Sequence, residues 1–426
     1  MMRNNTFFLI SLLAILLVEL DALATEMPSF SKLAGTKESE IVVNSVAGLV
    51  TAIDQANSGG DKTIIIEDGV YTLDDMLPIL ADGITVKSAS ENRDTVTIQG
   101  RGMEGSVTHI FNVAGSFFTV RDVTLRAVSQ HAIQLQIDVD DVLMHNLHIL
   151  DTGEQMVKVA YEQGNPNSSD DGVLEHCLLE YSAGVGPQYY IGGIDAHFTR
   201  NWLVRDNIFI NIRSPSGQLA EHAIHFWSDS EDTLVERNLI INCDRGIGFG
   251  LGDRGHIRGI IRNNMIYHNE TDGFADVGIG LERTGNAQVY NNSIFFANTY
   301  PNAIEYRYPE TTGVYIANNL TNKGITARDG ASATLSNNIT TSESSWFVQP
   351  ESGDLHLSSA LETVVDQGVE IPALTDDFDG DPRPVGSGTD IGADEYYVPP
   401  TPELSLLGII FLLIIFSLGT LKIKRM

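Results

Sequence analysis

One stretch of the chain collects the side chains that acid-base and carbohydrate chemistry use. Between residues 157 and 307 short segments recur with one pattern: Val157-Lys-Val159, Ile194-Asp-Ala-His197, Ile224-His-Phe-Trp227, Ile247-Gly-Phe-Gly250, Ile279-Gly-Leu-Glu282 and Ile304-Glu-Tyr-Arg307. In an extended chain successive side chains point to opposite faces, so stacking Val157 and the isoleucines inward leaves two outward columns. The first reads Lys158, Asp195, His225, Gly248, Gly280, Glu305, and the second Ala160, His197, Trp227, Gly250, Glu282, Arg307. His222 and Arg245 precede two of these segments.

Stacked strands lie about 4.8 Å apart, so Lys158, Asp195 and His225 on successive turns would perturb one another's protonation. Trp227 offers a flat apolar plate for a sugar ring, and the glycines at 246, 248, 250 and 252 leave a hollow beside it. The expected result is an exposed groove for a polysaccharide, with Lys158, Asp195, His225 and Arg245 as catalytic candidates. His197, His222, Trp227, Glu282, Glu305 and Arg307 are the substrate-binding candidates. β-Elimination at a uronic acid needs a base, here Lys158 or His225, and a cation such as Arg245 to stabilise the developing enolate. Hydrolysis needs two carboxyl groups flanking the bond, for which Asp195, Glu282 and Glu305 are available. The residues leave both reactions open. Taken one at a time, the same residues also suit solvated surface positions and ion pairs such as Glu282-Arg283.

The elements that must position these groups form a repeat. An aliphatic residue, two mostly polar residues, Asn and further aliphatics recur as Val204-Arg-Asp-Asn207, Val235-Glu-Arg-Asn238, Ile261-Arg-Asn-Asn264, Val289-Tyr-Asn-Asn292, Ile316-Ala-Asn-Asn319 and Leu335-Ser-Asn-Asn338. Asn146 is read as an upstream member of this column, with Cys177 and Val123 as variants. Intervals of roughly 19 to 31 residues match a solenoid turn and not a propeller blade. The short alternating runs rich in Val, Ile, Phe and Tyr are strand chemistry. Asn tolerates the left-handed bend between strands and can stack as an amide ladder, so the column is read as structural. Upstream, Leu49, Ala52, Ile53 and Ala56 have helical spacing, which predicts an amphipathic helix closing the open end of the coil.

Together the helix, the Gly69-Val-Tyr71 turn and the Asn-laddered turns resemble the right-handed parallel β-helix superfamily of exported bacterial proteins. Many of that superfamily's members are polysaccharide lyases and glycosidases. The resemblance covers about residues 45 to 345 and implies an all-β solenoid that takes an extracellular polysaccharide. The Lys-Ser and Arg-His-Gly motifs of chondroitinase B-like and alginate-lyase-like members are absent: Val159 follows Lys158, and Gly246 follows Arg245. Farther on, Gly353 to Tyr396 is similar to a segment that often closes bacterial β-helix proteins before a surface anchor. Within it, Asp377-x-Asp379-Gly-Asp381 places carboxylates at alternate positions, a pattern suited to calcium, although Pro382 and Ser387 exclude an EF-hand.

Across 426 residues, 26 Lys and Arg face 56 Asp and Glu, a net charge of −30 that excludes a nucleic-acid-binding surface. Two cysteines, Cys177 and Cys243, are too few for a disulfide framework. Arg3, the apolar run Phe7 to Val18 and Ala22-Leu-Ala24 predict a signal peptide over residues 1–24. Leu404 to Leu421 is uncharged and long enough to span a membrane, with Lys422, Lys424 and Arg425 behind it. The expected organisation is therefore a segment with the end helix over 25–61 and a solenoid over 62–345. An associated segment at 346–396, a Pro-rich linker at 397–403, a transmembrane or sorting helix at 404–421 and a basic cytoplasmic tail at 422–426 follow. This predicts an exported protein of the cell envelope or surface that binds, and in one reading cleaves, a polysaccharide. The competing reading is a non-catalytic adhesin or envelope scaffold.

Overall fold

The computed structural model describes residues 40–269 and 275–397. The signal peptide, the transmembrane or sorting helix and the basic tail fall outside these residues. No helix among the described residues is long and apolar enough to cross a membrane.

The chain coils through three parallel sheets of 12, 10 and 10 strands, each turn adding one strand to a sheet. Val157, Ile194, Ile224, Ile247, Ile279 and Ile304 are paired residue for residue and are fully buried. Their alternation with polar neighbours fixes the register, because a slip of one residue would move the whole apolar set out of the core. The core is one continuous column of aliphatic and aromatic side chains from Val43 to Ile316. A helix, Val46–Asn57, packs Leu49, Ala52, Ile53 and Ala56 against the first strands, with the Ser45 side chain accepting the amide of Gly48. Asn57 ends it by donating to Pro78 O at 2.7 Å and accepting the amides of Leu80 and Ala81.

The asparagine column is an amide ladder. Each Nδ2 of Asn207, Asn238, Asn264, Asn292 and Asn319 donates to the Oδ1 of the next, at 2.9 to 3.0 Å. Cys177 continues the column, its amide bonding Asn207 Oδ1 at 2.9 Å. One expectation needs correcting. The left-handed residue is the one before each ladder position, with φ between 47° and 56° at Asp206, Arg237, Asn263, Asn291, Asn318 and Asn337. Asn146, at φ 50°, is such a bend residue, and Leu147 holds the ladder position in its turn. Both cysteines are buried and free.

The bend column has a second use. Asn263, Asn291, Asn318 and Asn337 donate their amides to the carbonyls of Asp376, Asp390, Val369 and Gln367, fastening the C-terminal segment along the solenoid. That segment carries its own small core, with Phe347, Leu355, Leu357, Val364 and Ile391 against Met265 and Phe295. Arg383 and Glu395 form a fully buried ion pair within it at 2.7 Å. Asp377 spends both carboxylate oxygens on backbone amides, those of Asp379 and Asp381 on one and Glu395 on the other. Within the proposed calcium trio of Asp377, Asp379 and Asp381, Asp377 thereby organises the turn.

Candidate functional site

The predicted outward columns exist, in the predicted register, in the ten-stranded sheet that contains Val157–Val159, Ile194–His197 and Ile224–Trp227. Lys158 pairs with Asp195, Asp195 with His225, His225 with Gly248, Gly248 with Gly280 and Gly280 with Glu305. In the second column His197 pairs with Trp227 and Glu282 with Arg307.

Asp195 is the hub of the first half. It accepts from Lys158 Nζ and from Trp227 Nε1, the latter at 2.8 Å, while His225 Nδ1 lies 3.3 Å and His197 Nε2 3.5 Å away. Lys158 Nζ also donates to His197 Nε2 at 3.0 Å, which leaves His197 Nδ1 to donate to Ser228 Oγ at 3.0 Å. Burial alone would raise the Asp195 carboxyl. The Lys158 ammonium outweighs it and holds that carboxyl well below the usual range. Burial pulls His197 down and His222 far down, so both imidazoles are neutral at pH 7.

The face is not the open groove expected of outward positions. Asp195 is 2% exposed, His225 0% and His197 8%. The inter-strand connections account for this: Ile191 to Gly193 and Ala220 are buried beside the sheet, and the Tyr190 ring lies 6.0 Å from Lys158 Nζ. Trp227 is not a free plate either. His225 stacks on it at 4.9 Å and 16°, and the Arg254 guanidinium lies 5.0 Å from its ring. The glycine hollow is likewise partly filled, because a Cβ on Gly248 would lie 2.7 Å from the His222 ring.

Farther along the same sheet a pocket of about 270 Å³ is open, lined by His222, Arg245, Asp276, Glu282, Glu305 and Arg307 among others. Its charges are paired. Arg245 lies 3.4 Å from Asp276, Arg307 3.2 Å from Glu282 and 2.8 Å from Asp329, and Arg328 2.6 Å from Glu305. Burial would raise Glu305, but hydrogen bonds from Tyr300, Asn302 and Arg328 outweigh it and lower its pKa. Glu305 is thus ionised and unsuited to be the general acid of a hydrolase.

The structure also separates two groups that elimination chemistry would join. Arg245 belongs to the turn of Gly248, three turns from Lys158, or about 14 Å along the axis. Sequence reasoning missed Glu221, Asp276, Tyr300 and Arg328. The Glu221-His222-x-x-His225 spacing carried a signal for the first, and Ile325-Thr-Ala-Arg328 repeats the column pattern and pairs Arg328 with Arg307. Two groups place potential metal-ligating atoms within 4.8 Å of one another: Glu221, His222 and His225, and, in the C-terminal segment, His356, Asp379 and Asp394.

This architecture is a parallel β-solenoid with a polar site on one sheet. No family model and no curated protein matches the chain. Solved structures do. Pectate lyase Pel9A aligns over 85% of this chain and 98% of its own, at 14% identity and a TM-score of 0.53. An alginate lyase from Paenibacillus sp. strain FPU-7 aligns over 70% and 97%, at 14% identity and 0.46. The A-module of a mannuronan C-5 epimerase from Azotobacter vinelandii aligns over 70% and 90%, at 14% identity and 0.38. The likeness to Pel9A shows a shared fold.

Proposed function

We propose that the protein binds an extracellular polysaccharide across the ten-stranded sheet and cleaves it by β-elimination at a uronic acid. The observation that carries this reading is the contact of Lys158 with a neutral His197 at 3.0 Å, one strand apart. The neutral imidazole offers a proton-accepting Nε2 and the Lys158 ammonium beside it is a proton donor, so base and acid stand next to each other. His197 Nε2 takes the C5 proton, the C4–O bond breaks as the C4–C5 double bond forms, and the Lys158 ammonium gives its proton to the departing oxygen; the imidazolium then returns a proton to the amine across their 3.0 Å contact. Pel9A, which shares the fold, is a pectate lyase.

The scaffold or adhesin reading is favoured by one observation, the burial of Asp195 and His225. Export and retention at the cell surface belong to the proposal through the apolar segments near both ends of the chain, and the helix Val46–Asn57 is read as cover for the solenoid's first edge. The test is to incubate the protein with polyuronates and neutral glycans while following unsaturated-product absorbance and reducing ends together. Elimination predicts both signals on a polyuronate and a loss of about 100-fold or more in Lys158→Ala and His197→Ala. Reducing ends alone would replace it with hydrolysis. Silence on both with retained binding would establish the scaffold reading.

A further inference from the structure

Glu221, His222 and His225 form a cluster with several buried polar atoms left without a hydrogen bond. Glu221 Oε2, His222 Nδ1 and both ring nitrogens of His225 are sealed from solvent and make no hydrogen bond. His222 is 4% and His225 0% exposed, so these are imidazoles buried with unused polar atoms, a rare arrangement in folded chains. The nearest charge is Asp195 Oδ1, 3.3 Å from His225 Nδ1, and it leaves His225 Nε2 unmatched. Arg245 stops 3.8 Å from Glu221 Oε2, and His225 Nδ1 is 4.0 Å from the same oxygen. The backbone keeps space for the arrangement at two glycines. Gly248 admits the His222 ring, and Gly192 lets Glu221 pack close, since a Cβ there would lie 3.3 Å from Glu221 Cβ. That same Cβ would lie 3.1 Å from Gln155 Cγ, and both amide atoms of Gln155 are buried and unbonded too.

We infer that Glu221, His222 and His225 bind one divalent transition-metal ion of the zinc, cobalt and nickel class at the inner edge of the pocket. Two imidazole nitrogens and one carboxylate oxygen, close enough to converge on a single point, are the donor set such ions take. Calcium prefers a shell of oxygens, which this cluster lacks. The second cluster differs in the feature that matters. His356 already bonds Asp354 at 2.6 Å and Asp379 at 2.9 Å, and Asp394 accepts the amide of Leu357. Its ligand atoms are spent, and it serves as the internal control. The metal site stands independently of the polysaccharide reading.

The test uses the full chain stripped with a chelator and titrated with Co²⁺ by absorption spectroscopy, then with Zn²⁺ in competition. One equivalent is expected, with a spectrum typical of nitrogen ligation. Glu221→Gln and His222→Ala should each weaken binding by at least about ten-fold, while Asp379→Asn leaves it unchanged. Because His222 is buried, its variant could fail to fold. Glu221→Gln, near-isosteric at a side chain 22% exposed, then carries the test alone, with circular dichroism verifying the fold. Uptake below one equivalent, unchanged affinity in Glu221→Gln, loss in Asp379→Asn, or displacement of Co²⁺ by equal Ca²⁺ would each overturn the inference.

Discussion

The solenoid carries two stacked columns of polar side chains, and they follow opposite rules. In the asparagine ladder one residue type repeats from Asn207 to Asn338, each amide donating to the next, so every rung is satisfied along the axis. In the site column Lys158, Asp195, His225, Gly248, Gly280 and Glu305 differ from turn to turn and find partners sideways, on neighbouring positions and connections. Some atoms find none, as the unbonded Nε2 of His225 shows. Repetition lets a buried polar group be satisfied by its own copy. A column that gives up repetition gives up that guarantee, and a reactive or ligand-binding surface needs the freedom gained.

The comparison breaks first at Lys158. Its ammonium is the cation nearest the buried Asp195 carboxylate, and its side chain is 14% exposed against 3% for Asp195. Lys158→Ala would leave that carboxylate without its cation, at a cost of about 3–5 kcal/mol. Urea unfolding measures it, and Lys158→Ala with Asp195→Asn should recover part of the loss. A double variant no more stable than the single one would mean that the pair is not coupled.

Next comes the middle of the ladder. Asn264 accepts from both the amide and the Nδ2 of Asn238, and donates to Val235 O and Asn292 Oδ1, with all of these side chains buried. Asn264→Ala strands several of these groups, so about 3 kcal/mol is expected, again by urea unfolding. Activity should survive in the folded fraction, which separates the ladder from the site column.

These two columns were not equally legible in the sequence. The ladder repeats one letter at a regular interval, and the register of the site strands follows from Val157 and the isoleucines, so both columns could be placed. Asn146 was misplaced by one residue because asparagine suits both the bend and the rung, and only the backbone angle tells them apart. Burial of the site was illegible. It is set by connections such as residues 181–193 and 213–222, which have no periodicity, and a strand pattern shows which face a side chain takes without showing what lies over that face. Glu221 was overlooked for the same reason: it sits in a connection, outside the columns.

A smaller effect distinguishes histidines from asparagines as buried polar groups. His256, stacked on Phe249 at 4.0 Å and bonded to Thr233 Oγ1, is pulled down by burial to about 3. In the unfolded chain its imidazole titrates near 6.5, so between those values the unfolded state binds the proton that the native state refuses. This contribution is fully present above pH 6.5 and is lost as the pH falls toward 3. His131 and His268, both lowered by burial to about 4, act in the same direction. Tm should therefore fall between pH 7 and 4, and His256→Gln should flatten the slope. An unchanged slope would mean that the native state accommodates the charged ring.

The smallest effect is expected at the ladder's end, and it tests the rule itself. Asn338 accepts from the amide and Nδ2 of Asn319 as every rung does, and donates to Ile316 O at 2.8 Å, but it is only part-buried. Water can reach the groups that Asn338→Ala would free, so the cost should drop to about 1 kcal/mol. The opposite end of the column already replaces the amide with Cys177, Leu147 and Val123, each buried, and the chain pays for this by ending the side-chain ladder there. If Asn338→Ala costs as much as Asn264→Ala, the rungs act cooperatively along the stack and not as separately solvated pairs. The site column would then be the interruption that keeps such cooperativity from spreading to the face where the chemistry is proposed.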